Sequence, residues 1–220
     1  MNRPAWVHRQ IAAFVAQFCS PRGNDAWIGI RADAPRRQGG EATAAPDIPL
    51  SEGFIWRPHG GGEPELWLDP HKGGYRAAFA RFAIRDLGAP GLDGADVQID
   101  HVFPKKAASL GDLAYVRMLA VPPEGNMAAG RTLERAMAER GRAAGPRRKP
   151  TRMATYFAVG KATGFADYER LPDGEGEGEG EGNRDLVGAL FAHLREFGVP
   201  ADCLTQLDAD LTADRATDFR

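Results

Sequence analysis

Cysteine is scarce in this sequence of 220 residues, which contains only Cys19 and Cys203. Neither residue belongs to a Cys-x-x-Cys pair, and this excludes the structural zinc clusters that such pairs build. Two isolated cysteines are typical of a protein that stays in a reducing compartment, whereas a single long-range disulfide fits an exported protein. The cysteines alone leave both alternatives open.

Long apolar runs are also absent. No run approaches the roughly 20 residues that a membrane-spanning helix needs, so the sequence predicts no membrane association. Near the N-terminus, Ile11, Phe14, Val15 and Phe18 recur at helical spacing, and Gln17 interrupts the apolar stretch. This pattern predicts a packed amphipathic helix and not a secretory signal.

Net charge is small, because 28 Lys and Arg residues nearly balance 30 Asp and Glu residues. Basic side chains nevertheless gather between residues 131 and 152, with few acidic residues among them. Such a segment predicts contacts with nucleic-acid phosphates, and an ordinary basic surface loop is the alternative. The side chains that we expect to bind nucleic acid are Arg131, Arg135, Arg147, Arg148 and Lys149.

Glycine and glutamate alternate strictly over residues 174–182. Because these residues have no apolar side chains to bury in a core, the composition predicts a flexible linker over residues 173–183. The linker separates a main domain, residues 1–172, from a C-terminal helical segment, residues 184–220. Apolar spacing over residues 186–197 predicts an amphipathic helix, which we expect to fold back on the main domain, with partner binding as the alternative.

Short apolar runs bounded by turn residues predict strands in the first third of the chain. Residues 26–30 form one run, and residues 54–56 and 65–68 flank a glycine-rich turn as a hairpin would. The segment 34–49, rich in Pro, Gly and Ala, predicts a loop. Aromatic residues at helical spacing predict a helix over residues 75–87, so the fold class is α+β.

Residues 96–139 predict a strand, a second strand and a helix, in that order. Apolar and polar residues alternate up to Asp100 and His101, and Pro104 stops the strand just after this pair. A second apolar run follows and ends at two prolines, after which Asn126 occupies the expected N-cap of a helix.

The pair Asp100-His101 and the later Asn126 form a set of residues suited to phosphodiester hydrolysis. Carboxylate and amide oxygens are ligands for a hard divalent cation, and an imidazole can take a proton from water at neutral pH. An ordinary strand-end hydrogen bond and a helix cap are the structural alternative.

These residues resemble the HNH endonuclease superfamily with the ββα-metal fold, in the stretch IDHVFPKK and the later EGNMAAG. The resemblance covers about residues 95–140 and implies that His101 is the general base. It also implies that Asp100 and Asn126 bind one divalent metal ion, Mg²⁺ first, with Mn²⁺, Ni²⁺ or Zn²⁺ as alternatives. Glu134 is a possible additional site residue, although a surface partner of Arg131 is the simpler interpretation.

One departure from the family concerns the second strand, where many relatives place an Asn that orients the general base. Here the run AYVRMLAV offers only Arg117 as a strongly polar side chain. A backbone carbonyl that accepts the other ring proton of His101 is a common substitute.

The sequence therefore predicts a ββα-metal nuclease core with an added N-terminal helix and strands, and a C-terminal helical appendage. The expected function is a metal-dependent endonuclease of bacterial origin that cuts nucleic acid, DNA ahead of RNA, in a toxin, phage or defence setting. A non-catalytic nucleic-acid or protein-binding module on the same fold is the alternative. An immunity or regulatory protein is a possible partner. We expect a cytoplasmic location, with export as a toxin without a classical signal peptide as the alternative.

Overall fold

The structure is a computed structural model. It describes residues 3–31, 39–131, 151–167 and 181–216. Within these ranges the chain is an α+β protein. The strands are β1 (Trp27–Ile30), β2 (Gly40–Ala44), β3 (Gly53–Pro58), β4 (Glu65–Leu68), β5 (Gln98–His101), β6 (Tyr115–Val121) and β7 (Thr151–Met153). The helices are α1 (Ala5–Phe18), α2 (Tyr75–Asp86), α3 (Lys105–Leu110), α4 (Pro123–Arg131), α5 (Tyr156–Thr163), α6 (Glu181–Phe197) and α7 (Ala201–Ala216).

The strands form one antiparallel sheet in the order β2-β3-β4-β6-β1-β7, and β5 pairs with β6 outside this path. β6 is the longest strand, and every one of its side chains is buried. Its first half pairs with β1 and β4, and its second half pairs with β5. β6 therefore joins the N-terminal sheet to the β5-β6-α4 unit.

The main core lies between the sheet and the helices. Its largest members include Phe14 of α1 and Phe79 of α2, both fully buried. A second cluster is mainly aromatic, and in it the ring of Phe54 contacts the rings of Trp67 and Tyr115. Apolar residues thus stabilise the sheet in two separate clusters.

A buried polar network ties α1 to the sheet. Arg117 of β6 donates to the Oε1 atom of Gln17 at 2.5 Å and lies 3.5 Å from the carboxylate of Glu65. Glu65 also accepts hydrogen bonds from Gln17 at 2.7 Å and from the indole of Trp67 at 3.0 Å. These partners offset the cost of burying the charges of Arg117 and Glu65.

The C-terminal helices pack on the main domain. Leu190 and Leu194 of α6 are buried in the main core cluster, as is Leu207 of α7. Cys203 of α7 forms a disulfide with Cys19, which follows α1, and their Cα atoms are 5.2 Å apart. Of the two alternatives for the cysteines, the structure has the disulfide.

Several local expectations are wrong in detail. The segment predicted as a loop over residues 34–49 contains β2, which pairs along its whole length with β3. The stretch between Pro104 and the second apolar run contains a short helix, α3, that the sequence did not predict. Asn126 is not an N-cap, because α4 begins at Pro123 and the amide of Asn126 already donates to the carbonyl of Pro122 at 3.1 Å. Proline favours the first helical position, since its missing N–H is not needed there.

Candidate functional site

The central unit runs strand, short helix, strand, helix, as β5, α3, β6 and α4, so a helix separates the two strands that the sequence predicted in succession. β5 runs antiparallel to β6, with Asp100 opposite Leu119 and His101 opposite Met118. α4 follows β6 directly and contacts β5. Because neighbouring residues of a strand point to opposite faces, Asp100 and His101 lie on different sides of β5. Their environments accordingly differ.

Asp100 is held by a lysine that the motif does not contain. The Nζ atom of Lys161, on α5, forms an ion pair with the Oδ2 atom of Asp100. The Lys161 side chain is 1% exposed and the Asp100 side chain 23% exposed. A lysine is rarely buried this deeply unless a charge partner compensates for its desolvation.

Close packing of α4 on α5 places Lys161 there. A Cβ atom added to Gly125 of α4 would lie 2.8 Å from the carbonyl oxygen of Lys161 and 2.9 Å from the Cα atom of Gly164. Only glycine permits this approach of two backbones. The next residue, Asn126, donates from Nδ2 to the Oε1 atom of Gln98 at 2.6 Å. Gln98 and Asp100 share one face of β5, so Asn126 and Asp100 belong to the same side.

His101 faces the opposite side and is 1% exposed. Its ring packs edge-on against the ring of Tyr75, the first residue of α2, with the centroids 4.9 Å apart. Neither Nδ1 nor Nε2 has a hydrogen-bond partner among the described residues. The expected orienting carbonyl is therefore not seen there, and β6 offers only the apolar Met118 opposite His101.

Burial lowers the pKa of His101 from 6.5 to about 4. The ammonium groups of Lys105 and Lys161 also lower this pKa, whereas the carboxylates of Asp100 and Asp69 oppose the shift. The imidazole is consequently neutral near pH 7, which is the protonation state that a general base requires.

The proposed metal ligands have suitable donor atoms but also a competing cation. Asp100 and Asn126 offer oxygen atoms of the kind that hard divalent cations bind. Lys161, however, places a positive charge directly on Oδ2 of Asp100, and a divalent ion on that oxygen would be repelled at close range. The residues do not fit a metal ion at Asp100 while Lys161 stays in place. In the described ranges, no three His, Cys, Asp or Glu side chains gather in a group able to hold a metal.

The remaining predicted site residues lie beyond what the structure describes. Glu134, Arg135, Arg147, Arg148 and Lys149 all fall within residues 132–150, outside the described residues. Arg131 is the last residue of α4, but its side chain is not described. Their predicted roles remain predictions.

Two lysines near the motif were not expected to contact its neighbourhood. Lys161 stands far along the chain in a stretch that reads as apolar, and only its contact with Asp100 reveals its place. The Nζ atom of Lys105 lies 4.2 Å from the centroid of the Tyr75 ring, which itself contacts His101. The lysine pair of IDHVFPKK was a visible signal for Lys105. Nothing in the sequence signalled its contact with Tyr75.

No helix in the described part of the chain is long and apolar enough to cross a membrane. The chain was also compared with known proteins. No protein-family model, curated protein or solved structure matches it. The resemblance to HNH endonucleases therefore stays a prediction from the sequence, carried by Asp100, His101 and Asn126.

Proposed function

We propose that this protein is an HNH-like endonuclease that hydrolyses phosphodiester bonds in nucleic acid, DNA ahead of RNA. One observation carries the proposal. A strand that ends in Asp100-His101 pairs with a second strand that leads directly into a helix, and that helix holds Asn126 against the first strand through Gln98. The finer assignment of this unit as a ββα-metal core is part of the proposal.

His101 is the proposed general base. Its lowered pKa keeps the imidazole neutral at physiological pH, so that a ring nitrogen can accept the proton of an attacking water. Because His101 is 1% exposed, water reaches it only if the contact with Tyr75 opens. Substrate binding on this side is the step that we expect to open it.

The divalent ion, Mg²⁺ first, remains part of the proposal, with Asp100 and Asn126 as its ligands. Since Lys161 holds Asp100 in the structure, metal binding requires that this lysine leave the carboxylate. The prediction is a weak, competitive metal site. Isothermal titration of the protein with Mn²⁺ should show affinity that rises in Lys161→Gln and disappears in Asp100→Asn.

The basic segment from Arg131 to Lys149 is the proposed contact for the nucleic-acid backbone. An immunity or regulatory protein is a further proposed partner.

We propose that the protein is located in the cytoplasm, with export as a toxin as the alternative. The Cys19–Cys203 disulfide favours export, because such bonds persist in oxidising compartments.

The test is a screen of supercoiled plasmid, single-stranded DNA and RNA with the purified protein in Mg²⁺, Mn²⁺, Ni²⁺, Zn²⁺ or EDTA. We expect cutting with at least one divalent ion and none in EDTA. Cutting of the same polymer at an equal rate in EDTA would contradict the metal-dependent mechanism.

A second candidate function is a nucleic-acid or protein-binding module that does not cut. The ion pair of Lys161 with Asp100 favours it, because the lysine neutralises the carboxylate that a nuclease would use. This candidate predicts binding of nucleic acid in EDTA, no cleavage of any polymer with any metal, and no Mn²⁺ site in Lys161→Gln.

A further inference from the structure

The side of β5 that carries His101 faces the amino end of α2, which has the features of an anion site. Gly74 precedes the helix in a left-handed conformation, with φ of 68°, and no side chain caps the first turn. The first turn contains no acidic residue. A Cβ atom added to Gly73 or Gly74 would meet nothing within 4 Å, and both residues are exposed.

A positive side chain lies beside this helix end. Lys105 is exposed, and its Nζ atom lies 4.2 Å from the centroid of the Tyr75 ring. No carboxylate in the described ranges forms an ion pair with Lys105, whereas nearby Lys72 is paired with Glu52. Tyr75 is half-buried, whereas Lys105 is exposed, and a cation over a ring at an exposed site is worth about 0.5–1 kcal/mol, less than a charge-assisted hydrogen bond. An anion can therefore draw Lys105 away from the ring.

A buried polar group without a partner packs against the first residue of the same helix. His101 packs against Tyr75, is 1% exposed, and has no hydrogen-bond partner for either ring nitrogen among the described residues. A buried donor without an acceptor is costly and calls for a partner from outside the fold. One nearby carboxylate, Asp69, accepts a hydrogen bond from the amide of His71 at 2.7 Å.

We propose that Gly73, Gly74, Tyr75 and Lys105 form a phosphate-binding subsite beside His101, which holds a backbone phosphate of the nucleic-acid substrate. Helix amides and an ammonium group are complementary to a tetrahedral oxyanion with several oxygens. The inference rests on the proposed function for the identity of the polymer. It adds a phosphate contact separate from the basic segment that ends at Lys149.

The first test is titration of the ¹⁵N-labelled full chain with inorganic phosphate in EDTA, followed by NMR. We expect saturable shifts of the amides of Gly73, Gly74 and Tyr75. Lys105→Gln should weaken phosphate binding about tenfold, as loss of one charge-assisted hydrogen bond implies. The matched control Lys106→Gln, at an equally exposed neighbour, should change it little. No saturable shift at these amides, or equal weakening in both variants, would overturn the subsite.

The second test measures binding of a short single-stranded DNA at several salt concentrations, again in EDTA. Lys105→Gln should reduce the salt slope by about one, and Lys106→Gln should not. If Lys105→Gln weakens the binding of inorganic phosphate but does not change the binding of DNA, the assignment of the subsite to nucleic acid is overturned. Because neither test involves cleavage, a chain that binds at Lys105 but cuts nothing contradicts the nuclease and leaves the phosphate subsite standing.

Discussion

At the scale of single residues, the ion pair of Asp100 with Lys161 affects both the stability of the fold and metal binding at the candidate site. Lys161 is almost completely buried, and its ion pair with Asp100 offsets part of the cost of burying its charge. Removal of either partner takes this compensation away, and such a loss is destabilising in buried pairs. The same ion pair is the obstacle to a metal ion at Asp100.

We expect Lys161→Met to lower the free energy of unfolding by about 2–4 kcal/mol, somewhat less than for a fully buried pair because Asp100 is partly exposed. The double variant Lys161→Met with Asp100→Asn should lose clearly less free energy of unfolding than the sum of the losses in the two single variants. Urea denaturation of the four proteins measures this coupling. Strict additivity of the two losses would show that the pair contributes nothing.

The residue scale also shows what the sequence could predict. Asp100, His101 and Asn126 could be selected because a strand-end pair and a helix start are local patterns. Lys161 could not be, because a buried lysine is recognised only by its partner, and that partner lies on another element. For the same reason the sequence marked Arg117 as unusual without indicating its contacts with Gln17 and Glu65.

At the scale of elements, the contact between α4 and α5 holds both Asn126 and Lys161 in position. This contact depends on Gly125, which lies directly against the backbone of α5. Most strands and helices could be predicted from their apolar periods. This contact could not, because a glycine in a helix start gives no sign of which backbone approaches it.

We expect Gly125→Ala to lower the free energy of unfolding by about 1–3 kcal/mol, because the added methyl group overlaps the carbonyl of Lys161. The displaced helix should also weaken the hydrogen bond from Asn126 to Gln98. Gly188→Ala is the matched control, since Gly188 lies in α6 with nothing within 4 Å of an added Cβ. It should stabilise the protein by up to about 1 kcal/mol. Equal effects of the two changes would contradict the close packing.

The contact of α6 with α5 predicts a dependence of stability on pH. Burial lowers the pKa of His193, whose Nε2 atom lies 3.1 Å from the hydroxyl of Thr163. Because the folded state disfavours the charged imidazole, the stabilisation is present above the ordinary pKa of about 6.5 and is lost as the pH falls through the lower folded value.

His193→Gln should therefore lose less stability than the native protein between pH 7.5 and pH 5, measured by urea denaturation. His8→Gln, at an exposed position on α1, is the control and should follow the native curve. If His193→Gln follows the native curve as well, the titration of His193 does not couple to folding.

At the scale of the whole molecule, the disulfide between Cys19 and Cys203 joins the two ends of the described fold. The sequence predicted the amphipathic helix over residues 186–197, but it left the disulfide open. Apolar packing of Leu190, Leu194 and Leu207 brings α6 and α7 against the main domain and the cysteines within bonding distance. A pairing of this kind depends on the tertiary fold and cannot be read from two isolated residues.

Reduction with dithiothreitol should lower the free energy of unfolding by about 2–5 kcal/mol, because the bond closes a long loop in the unfolded chain. The double variant Cys19→Ser with Cys203→Ser should start at this lower stability and show no response to the reductant. A native protein whose denaturation curve does not change on reduction would contradict the disulfide.

The most direct test of the proposed nuclease is the rate of plasmid nicking in Mg²⁺ or Mn²⁺ by the native protein and by single variants. His101→Ala should lower the rate at least about a hundredfold, as expected for loss of a general base, while thermal unfolding shows that the variant is folded. His8→Ala should keep the native rate. Equal rates for the native protein and a folded His101→Ala variant would contradict the proposed catalytic site.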